Sequence, residues 1–261
     1  MLRRVDINSD LGEGFGRYSL GRDEDLLGVV TSANVACGFH AGDPNVMRRT
    51  VAVARDRGVA VGAHPGYPDL VGFGRREMRI DPREVENLII YQIGALEAVA
   101  RAEGVRLTHV KVHGALYNQA AREPSLAAAV ARAVAAVDRG LVLVGLAGSE
   151  MLTAGREAGL MVAAEVFADR GYLRNGHLAP RGQGGALIVD PAAVAARAVR
   201  MVLEGVVTAV DGTDVRVEAD TICVHGDSPA AASLALVIRS SLEAVGVRVV
   251  PLRGADSGGP N

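Results

Sequence analysis

Two short segments set polar side chains at every second position. VDINSDLGEG carries Asp6, Asn8 and Asp10, with Glu13 in the glycine-rich turn that follows, and THVKVHG carries His109, Lys111 and His113. In an extended chain residues two apart point the same way, so each trio shares one face. Carboxylates at a strand end can act as general base or hold a divalent cation, and imidazoles move protons near neutral pH. Lys111 is the only lysine, every other basic residue among the 28 being arginine. On an inward face it needs an anion against it, whether a carboxylate, a phosphate or a developing oxyanion. The plainer alternative is a buried ion pair with Glu165 or Asp6. If Lys111 meets the reacting group, Lys111→Met abolishes turnover with little change in Tm; if it belongs to an ion pair, the same change destabilises the fold.

Five of the six histidines, His40, His64, His109, His113 and His225, fall at or near expected strand ends, and His177 falls in a long loop. A lone histidine is more often structural than catalytic, but several on one rim point to a site. His109 begins its strand and is read as structural. CGFHAGDP and GAHPGYPDL share one theme, a strand followed by a histidine among glycines that let the backbone approach a ligand. Asp43 there is either ligand-facing or only a helix N-cap. Asp10, His40 and His64 make a candidate divalent-ion set with an open position. Cys37 lies three residues from His40, spacing that does not by itself make a nucleophilic dyad. FADRGYLRNGHLAPRGQGG brings Arg170, Arg174 and Arg181 into a glycine-rich loop, suited to a carboxylate or phosphate or else simply a solvated lid. The chain has no G-x-x-x-x-G-K-[ST] phosphate loop, no G-x-S-x-G elbow and no H-E-x-x-H. Any nucleotide it uses is bound unconventionally or by another chain.

Short apolar runs near 4–8, 32–37, 59–63, 108–113, 141–145, 162–166, 220–225 and 247–251 alternate with amphipathic stretches, giving β, α, β, α throughout. Asp43-Pro44, Asp81-Pro82, Asp190-Pro191 and Ser228-Pro229 read as helix starts. The alternation implies a parallel sheet, open or closed. An open sheet covered on both faces makes strands apolar on both sides, whereas these are apolar on one side only. Val5 and Ile7 oppose the Asp6 face, Val110 and Val112 the Lys111 face, Val166 the Glu165 face, and Ile222 and Val224 a face carrying Cys223, His225 and Asp227. That pattern predicts a single TIM-like β/α barrel of seven or eight parallel strands over residues 1–252, with its chemistry at the C-terminal rim and a frayed tail at 253–261.

Composition agrees. Of 261 residues 49% are apolar but only 3% aromatic, so the core is aliphatic. A net charge of −2 without a basic tract argues against nucleic acid or an anionic membrane as partner. No apolar run reaches the about 18–20 residues that span a bilayer. Two cysteines far apart and the absence of a secretory h-region in MLRRVDIN place the chain in the cytoplasm with reduced thiols.

The segments DINSDLGEGFG, SANVACGFHAGDP, GAHPGYPDLVGFGRR, VKVHGALYN, EVFADRGY and ICVHGD resemble the signature blocks of the LamB/YcsF family. The six ordered blocks run from residue 5 to beyond 225, departing at Ser9, where a cysteine is expected, and at Val112, where proline is common. The resemblance implies a seven-stranded barrel related to polysaccharide deacetylase-like barrels. It also implies an ATP-dependent hydrolase of lactam utilization that opens 5-oxoproline (pyroglutamate) to L-glutamate. In that family the chain works with partner subunits B and C, which accords with the missing phosphate loop. On this reading Asp10, Glu13, His64, Lys111 and His113 are catalytic, and Asn8, His40, Asp43, Tyr117, Glu165 and Arg170 bind substrate. The cofactors are ATP and a divalent cation such as Mg2+, held by Asp10, His40 and His64. Two other classes compete: a stand-alone metal-dependent amidohydrolase or deacetylase-like enzyme, and a non-catalytic small-molecule binding subunit.

Overall fold

The computed structural model describes residues 3–20, 22–180, 182–224 and 231–252. Its strands are β1 (Arg4–Leu11), β2 (Ser32–Ala36), β3 (Ala60–His64), β4 (Leu107–Val110), β5 (Val142–Leu146), β6 (Val162–Val166), β7 (Val206–Thr208), β8 (Asp214–Arg216), β9 (Thr221–Cys223) and β10 (Arg248–Val249). The helices are α1 (Asp23–Leu26), α2 (Pro44–Arg57), α3 (Pro82–Ala102), α4 (Gly114–Ala120), α5 (Pro124–Val137), α6 (Glu150–Glu157), α7 (Pro191–Glu204) and α8 (Ala231–Ala244).

Strands β1 to β6 and β9 run parallel and close on themselves, because β9 pairs with both β6 and β1. The cylinder therefore has seven staves. The expected eighth strand exists as β10, but it adds only Arg248 and Val249 beside Arg4 and Val5, at the end of β1 that β9 does not reach. The hairpin β7–β8 was not expected; it is antiparallel and lies outside the barrel sheet. Its signal was present as Asp211-Gly212 between alternating valines, a turn dipeptide inside a stretch to which no strand was assigned. Strand β4 stops at Val110, short of the expected 113. The backbone nonetheless stays in register, with Lys111 N donating to Ala63 O at 3.0 Å and His113 N to Pro65 O at 2.8 Å, so the alternation of faces survives.

Local chemistry sets the helix starts. Asp43, Asp81 and Asp190 each accept a backbone N–H of the first turn, with proline at the first helical position, as the dipeptides predict. Ser228-Pro229, His225, Asp227, Arg181 and the tail 253–261 lie outside the described residues. Among the described residues no helix is long and apolar enough to cross a membrane.

The outward face of the barrel is aliphatic. Val5, Ile7, Val35, Val61, Val110, Leu143, Val166 and Ile222 are buried against Val51 of α2, Ile89, Ile93 and Leu96 of α3, and Val130 and Val134 of α5. Each such side chain, fully removed from water, contributes about 1.5–3 kcal/mol, and together they hold the staves in place. The inward face is mostly polar, apart from an apolar patch of Val142, Val144 and Ala163, and its crowding explains one glycine. A Cβ at Gly62 of β3 would stand 2.3 Å from the His109 ring on the neighbouring stave. Gly62→Ala is therefore expected to lower unfolding free energy by about 1–3 kcal/mol through overpacking. Urea denaturation checks it, and an unchanged midpoint would mean that the interior has slack.

Candidate functional site

Polar side chains from β1, β2, β4, β6 and β9 run up the barrel interior from its lower end to its mouth, beside the apolar patch of β5 and β6. At the lower end Asp6 accepts from Thr31 Oγ1 (2.6 Å), Ser32 Oγ (2.6 Å) and Thr221 Oγ1 (2.5 Å), and burial still pushes its carboxyl up to about 6. Above it Asn8 donates to Glu165 Oε1 at 2.9 Å and to Thr221 Oγ1 at 2.7 Å. Asn34, on β2, donates to Asn8 Oδ1 at 2.7 Å and to Asp10 Oδ1 at 2.9 Å. His109 Nε2 lies 2.8 Å from Asn34 Oδ1, so this nitrogen carries the hydrogen that orients the amide. Burial, then Lys111, then His64 push His109 down to about 3, which keeps the ring neutral for that task. The sequence reading of His109 as structural holds. Asn34 was missed, although Ser32 and Asn34 repeat the alternation that singled out Asp6, Asn8 and Asp10.

Lys111 sits at the centre. Its Nζ is 2.8 Å from Glu165 Oε1, 3.1 Å from Asp10 Oδ1, 3.2 Å from Asn8 Oδ1 and 3.1 Å from Cys223 Sγ. Burial disfavours the ammonium, yet the surrounding groups, Asp10 foremost, outweigh it and hold the pKa well above the ordinary lysine value. Burial would likewise raise Asp10, but His64 and then Lys111 hold its carboxyl well below the ordinary range. Tyr117, one turn into α4, donates to Glu165 Oε2 at 2.6 Å. The lysine is thus a member of a buried ion cluster, its alternative partner Glu165 confirmed and Asp6 not among its contacts.

At the mouth two imidazoles meet. His64 Nδ1 lies 2.6 Å from the carbonyl oxygen of Lys111, and His113 Nε2 lies 2.8 Å from that of Phe73. Carbonyls only accept, so both of those nitrogens carry hydrogen. The opposite nitrogens, His64 Nε2 and His113 Nδ1, face one another at 2.9 Å. Asp10 Oδ2 is 3.3 Å from His64 Nε2, and Glu13 Oε1 is 3.5 Å from both His113 Nδ1 and His40 Nε2. His40 stacks on His113, ring centroids 3.8 Å apart and planes within 4°. Burial, followed by neighbouring imidazoles, pushes His113 down to about 3 and His40 well below its usual value.

Phe73 supplies its carbonyl from a left-handed backbone, φ +54°, the one such non-glycine conformation among the described residues. The turn is braced by Asp69, which accepts from Gly72 N at 3.0 Å and from the Arg76 guanidinium. That guanidinium holds the Asp69 carboxyl down to about 2.

Asp10, His64, Lys111, His113, Tyr117 and Phe167 line a cavity of about 540 Å³, together with Arg75, Arg122, Arg170 and His177. Arg75 lies over the Phe73 ring, 5.1 Å from its centroid. The expected site residues thus separate into groups. Asp10, His64, Lys111, His113, Tyr117 and Arg170 reach the cavity; Glu13 and His40 stand behind its histidine wall; Asn8 and Glu165 lie beneath. Arg170 is largely spent on its own loop, donating to Ala179 O at 2.8 Å and Ala186 O at 3.2 Å. Asp43 is elsewhere: one oxygen caps α2 and the other accepts from Gly16 N at 2.7 Å. Cys37 is buried, with its Sγ 3.2 Å from Val35 O, and burial pushes the thiol up to about 12, so it is no nucleophile. Arg75, Arg122 and His177 were not singled out, because they come from three loops far apart in sequence.

A family model described as the LamB/YcsF family matches residues 5–257. The 5-oxoprolinase A subunit of Pyrococcus abyssi is 56% identical over 250 residues, covering 96% of this chain and 98% of the relative. Its counterpart from Bacillus subtilis is 54% identical over 249 residues, covering 95% and 97%. The crystal structure of a lactam utilization protein from Thermus thermophilus superposes with a TM-score of 0.90 at 52% identity, covering 95% of this chain and 99% of the other.

Lys111→Met is expected to lower unfolding free energy by about 3–5 kcal/mol, since it strands Asp10 and Glu165 as buried carboxylates. Chemical denaturation measures this, and a loss under about 1 kcal/mol would contradict the ion cluster. Asp69 contributes in the depressed-pKa direction, so its stabilisation is complete above its ordinary value of 3.8 and fades as pH falls toward about 2. The stability gap between the native chain and Asp69→Asn should narrow over that window in acid denaturation. A gap independent of pH there would sink the assignment.

Proposed function

The chain belongs to the LamB/YcsF family, and from that membership we propose that it is the A subunit of an ATP-hydrolysing 5-oxoprolinase. It opens the lactam ring of 5-oxo-L-proline to L-glutamate, working with partner subunits B and C. The observation that carries the chemistry is the convergence of Asp10, His64 and His113 on one cavity wall, with arginine side chains around the same cavity. A cavity of about 540 Å³ accepts a five-membered ring with room for a second group. Arg75 and Arg122, among its lining residues, suit the substrate carboxylate or a phosphoryl group.

A five-membered lactam is a stable amide, so its carbonyl oxygen must become a better electron sink. ATP transfers a phosphoryl group to that oxygen. Water then adds to the carbon, the carbon–nitrogen bond breaks, and the ring nitrogen leaves as an amine. A second water cleaves the resulting acyl phosphate to carboxylate and phosphate. The proton lost by the attacking water passes to the His64–His113 pair on the cavity wall, backed by the Glu13 carboxylate behind it, and from there to the departing nitrogen. Asp10, held ionised by His64 and Lys111, keeps the wall electronegative. Lys111 is a positioning residue: with two carboxylates on its ammonium, it sets Asp10 rather than reaching for the phosphoryl group. ATP binds with help from the partner subunits, since this chain has no phosphate loop.

Glutamate release from 5-oxoproline and ATP, measured with this chain alone and then with subunits B and C, tests the proposal. Turnover only in the assembled mixture, and only with ATP, is expected. His64→Ala in that mixture should slow release between about a hundredfold and ten-thousandfold. Release by the chain alone without ATP would instead make it a stand-alone amidohydrolase.

A further inference from the structure

The histidine wall carries a demand that the lactam reading leaves unanswered. With His64 Nδ1–H committed to the Lys111 carbonyl and His113 Nε2–H to that of Phe73, the two remaining ring nitrogens face each other at 2.9 Å, each offering a lone pair when its ring is neutral. Two lone pairs at that distance repel unless a proton or a cation lies between them. Two carboxylate oxygens flank the pair, Asp10 Oδ2 at 3.3 Å from His64 Nε2 and Glu13 Oε1 at 3.5 Å from His113 Nδ1. We propose that His64 Nε2, His113 Nδ1 and Asp10 Oδ2 bind one divalent transition-metal ion, with Glu13 as the next anion, at the wall of the cavity.

The spacing fits. Ligands about 2.1 Å from an ion and at right angles to each other stand about 3.0 Å apart, close to the observed separation of the two nitrogens. The ligand atoms of Glu13, His40, His64 and His113 lie within 4.8 Å of one another, but ring geometry removes His40 from the set. An ion bound in the plane of His113 is displaced from the parallel plane of His40 by nearly the stacking distance, so His40 cannot reach it. His40 is instead the plate against which His113 is held. His64 and His113 rings stand at 90°, which lets both planes contain the ion. Two imidazoles and a carboxylate select Zn2+, Co2+, Fe2+ or Mn2+ over Mg2+, which prefers oxygen and keeps its water. Asp10, His64 and His113 all line the cavity, so the remaining coordination positions open toward substrate. When bound, such an ion supplies a Lewis acid for a carbonyl or phosphoryl oxygen.

The proposal deepens the lactam-opening reading, and it is tested apart from it on the chain alone, without substrate. After stripping with a chelator, calorimetric titration with Zn2+, Co2+, Mn2+ and Mg2+ should show one site per chain, tightest for Zn2+ or Co2+ and weakest for Mg2+. The cobalt form should absorb in the visible. His64→Ala and His113→Ala should each weaken binding by about a hundredfold or more, a loss at least as large as that of a group only supporting a ligand, while His40→Gln keeps the stoichiometry. If either variant fails to fold, pulsed electron paramagnetic resonance of the Mn2+-loaded native chain decides, with two bound imidazole nitrogens expected. No binding above adventitious levels, equal binding by the histidine variants, or ring nitrogens that merely share a titrating proton would overturn the site. Those outcomes leave glutamate release by the assembled subunits to be judged by its own assay.

Discussion

The interior of this barrel depends on one buried ammonium. Lys111 stands between Asp10 and Glu165, and without it two carboxylates would be left without a counter-charge, Glu165 fully buried and Asp10 largely shielded at the cavity wall. Desolvation of three charges is costly, and the cluster persists because each charge has a partner and further hydrogen bonds from Asn8, Asn34 and Tyr117. Arginine could not replace this lysine simply, since a compact ammonium fits among four acceptors where a planar fork would not.

Lys111 also acts through its backbone. Its side chain holds Asp10 while its carbonyl takes the hydrogen of His64 Nδ1, so one residue sets both the carboxylate and the tautomer of the histidine beside it. The second histidine is set from outside the sheet, by the Phe73 carbonyl in a turn pinned by Asp69 and Arg76. The result is a wall of close polar groups, Asp10, His64, His113 and Glu13, in which one ring nitrogen of each histidine is bonded to a backbone carbonyl and the other is turned toward its partner. Preorganisation of this kind requires no rearrangement at the moment of reaction. His40 contributes by stacking, and its ring packs against Gly66 and Phe73.

The aliphatic exterior makes this polar interior affordable to the fold. Val, Leu, Ile and Ala from the staves pack against α2, α3, α5 and α7, and this burial outweighs the weak net contribution of paired charges within. Stability and chemistry are thus divided between the two faces of the same strands.

That division is why so much was legible. A period of two, polar against apolar, marked Asp6, Asn8, Asp10, His109, Lys111 and His113 as inward-facing, and one-sided strands implied a closed cylinder; Asp-Pro pairs located three helix starts. These are consequences of local geometry, which side-chain order along the chain dictates. Whether the cylinder closes at seven staves was decided by β9 reaching β1, a contact between residues more than two hundred apart. The same holds for the fate of individual side chains. Asp43 looked like a ligand and is a cap, Arg170 looked like a substrate anchor and mainly braces its loop, and His113 rather than His40 faces His64. Periodicity tells which side a residue is on; which nitrogen is bare, and what it faces, follows only once separate strands and a distant turn bring their carbonyls to it.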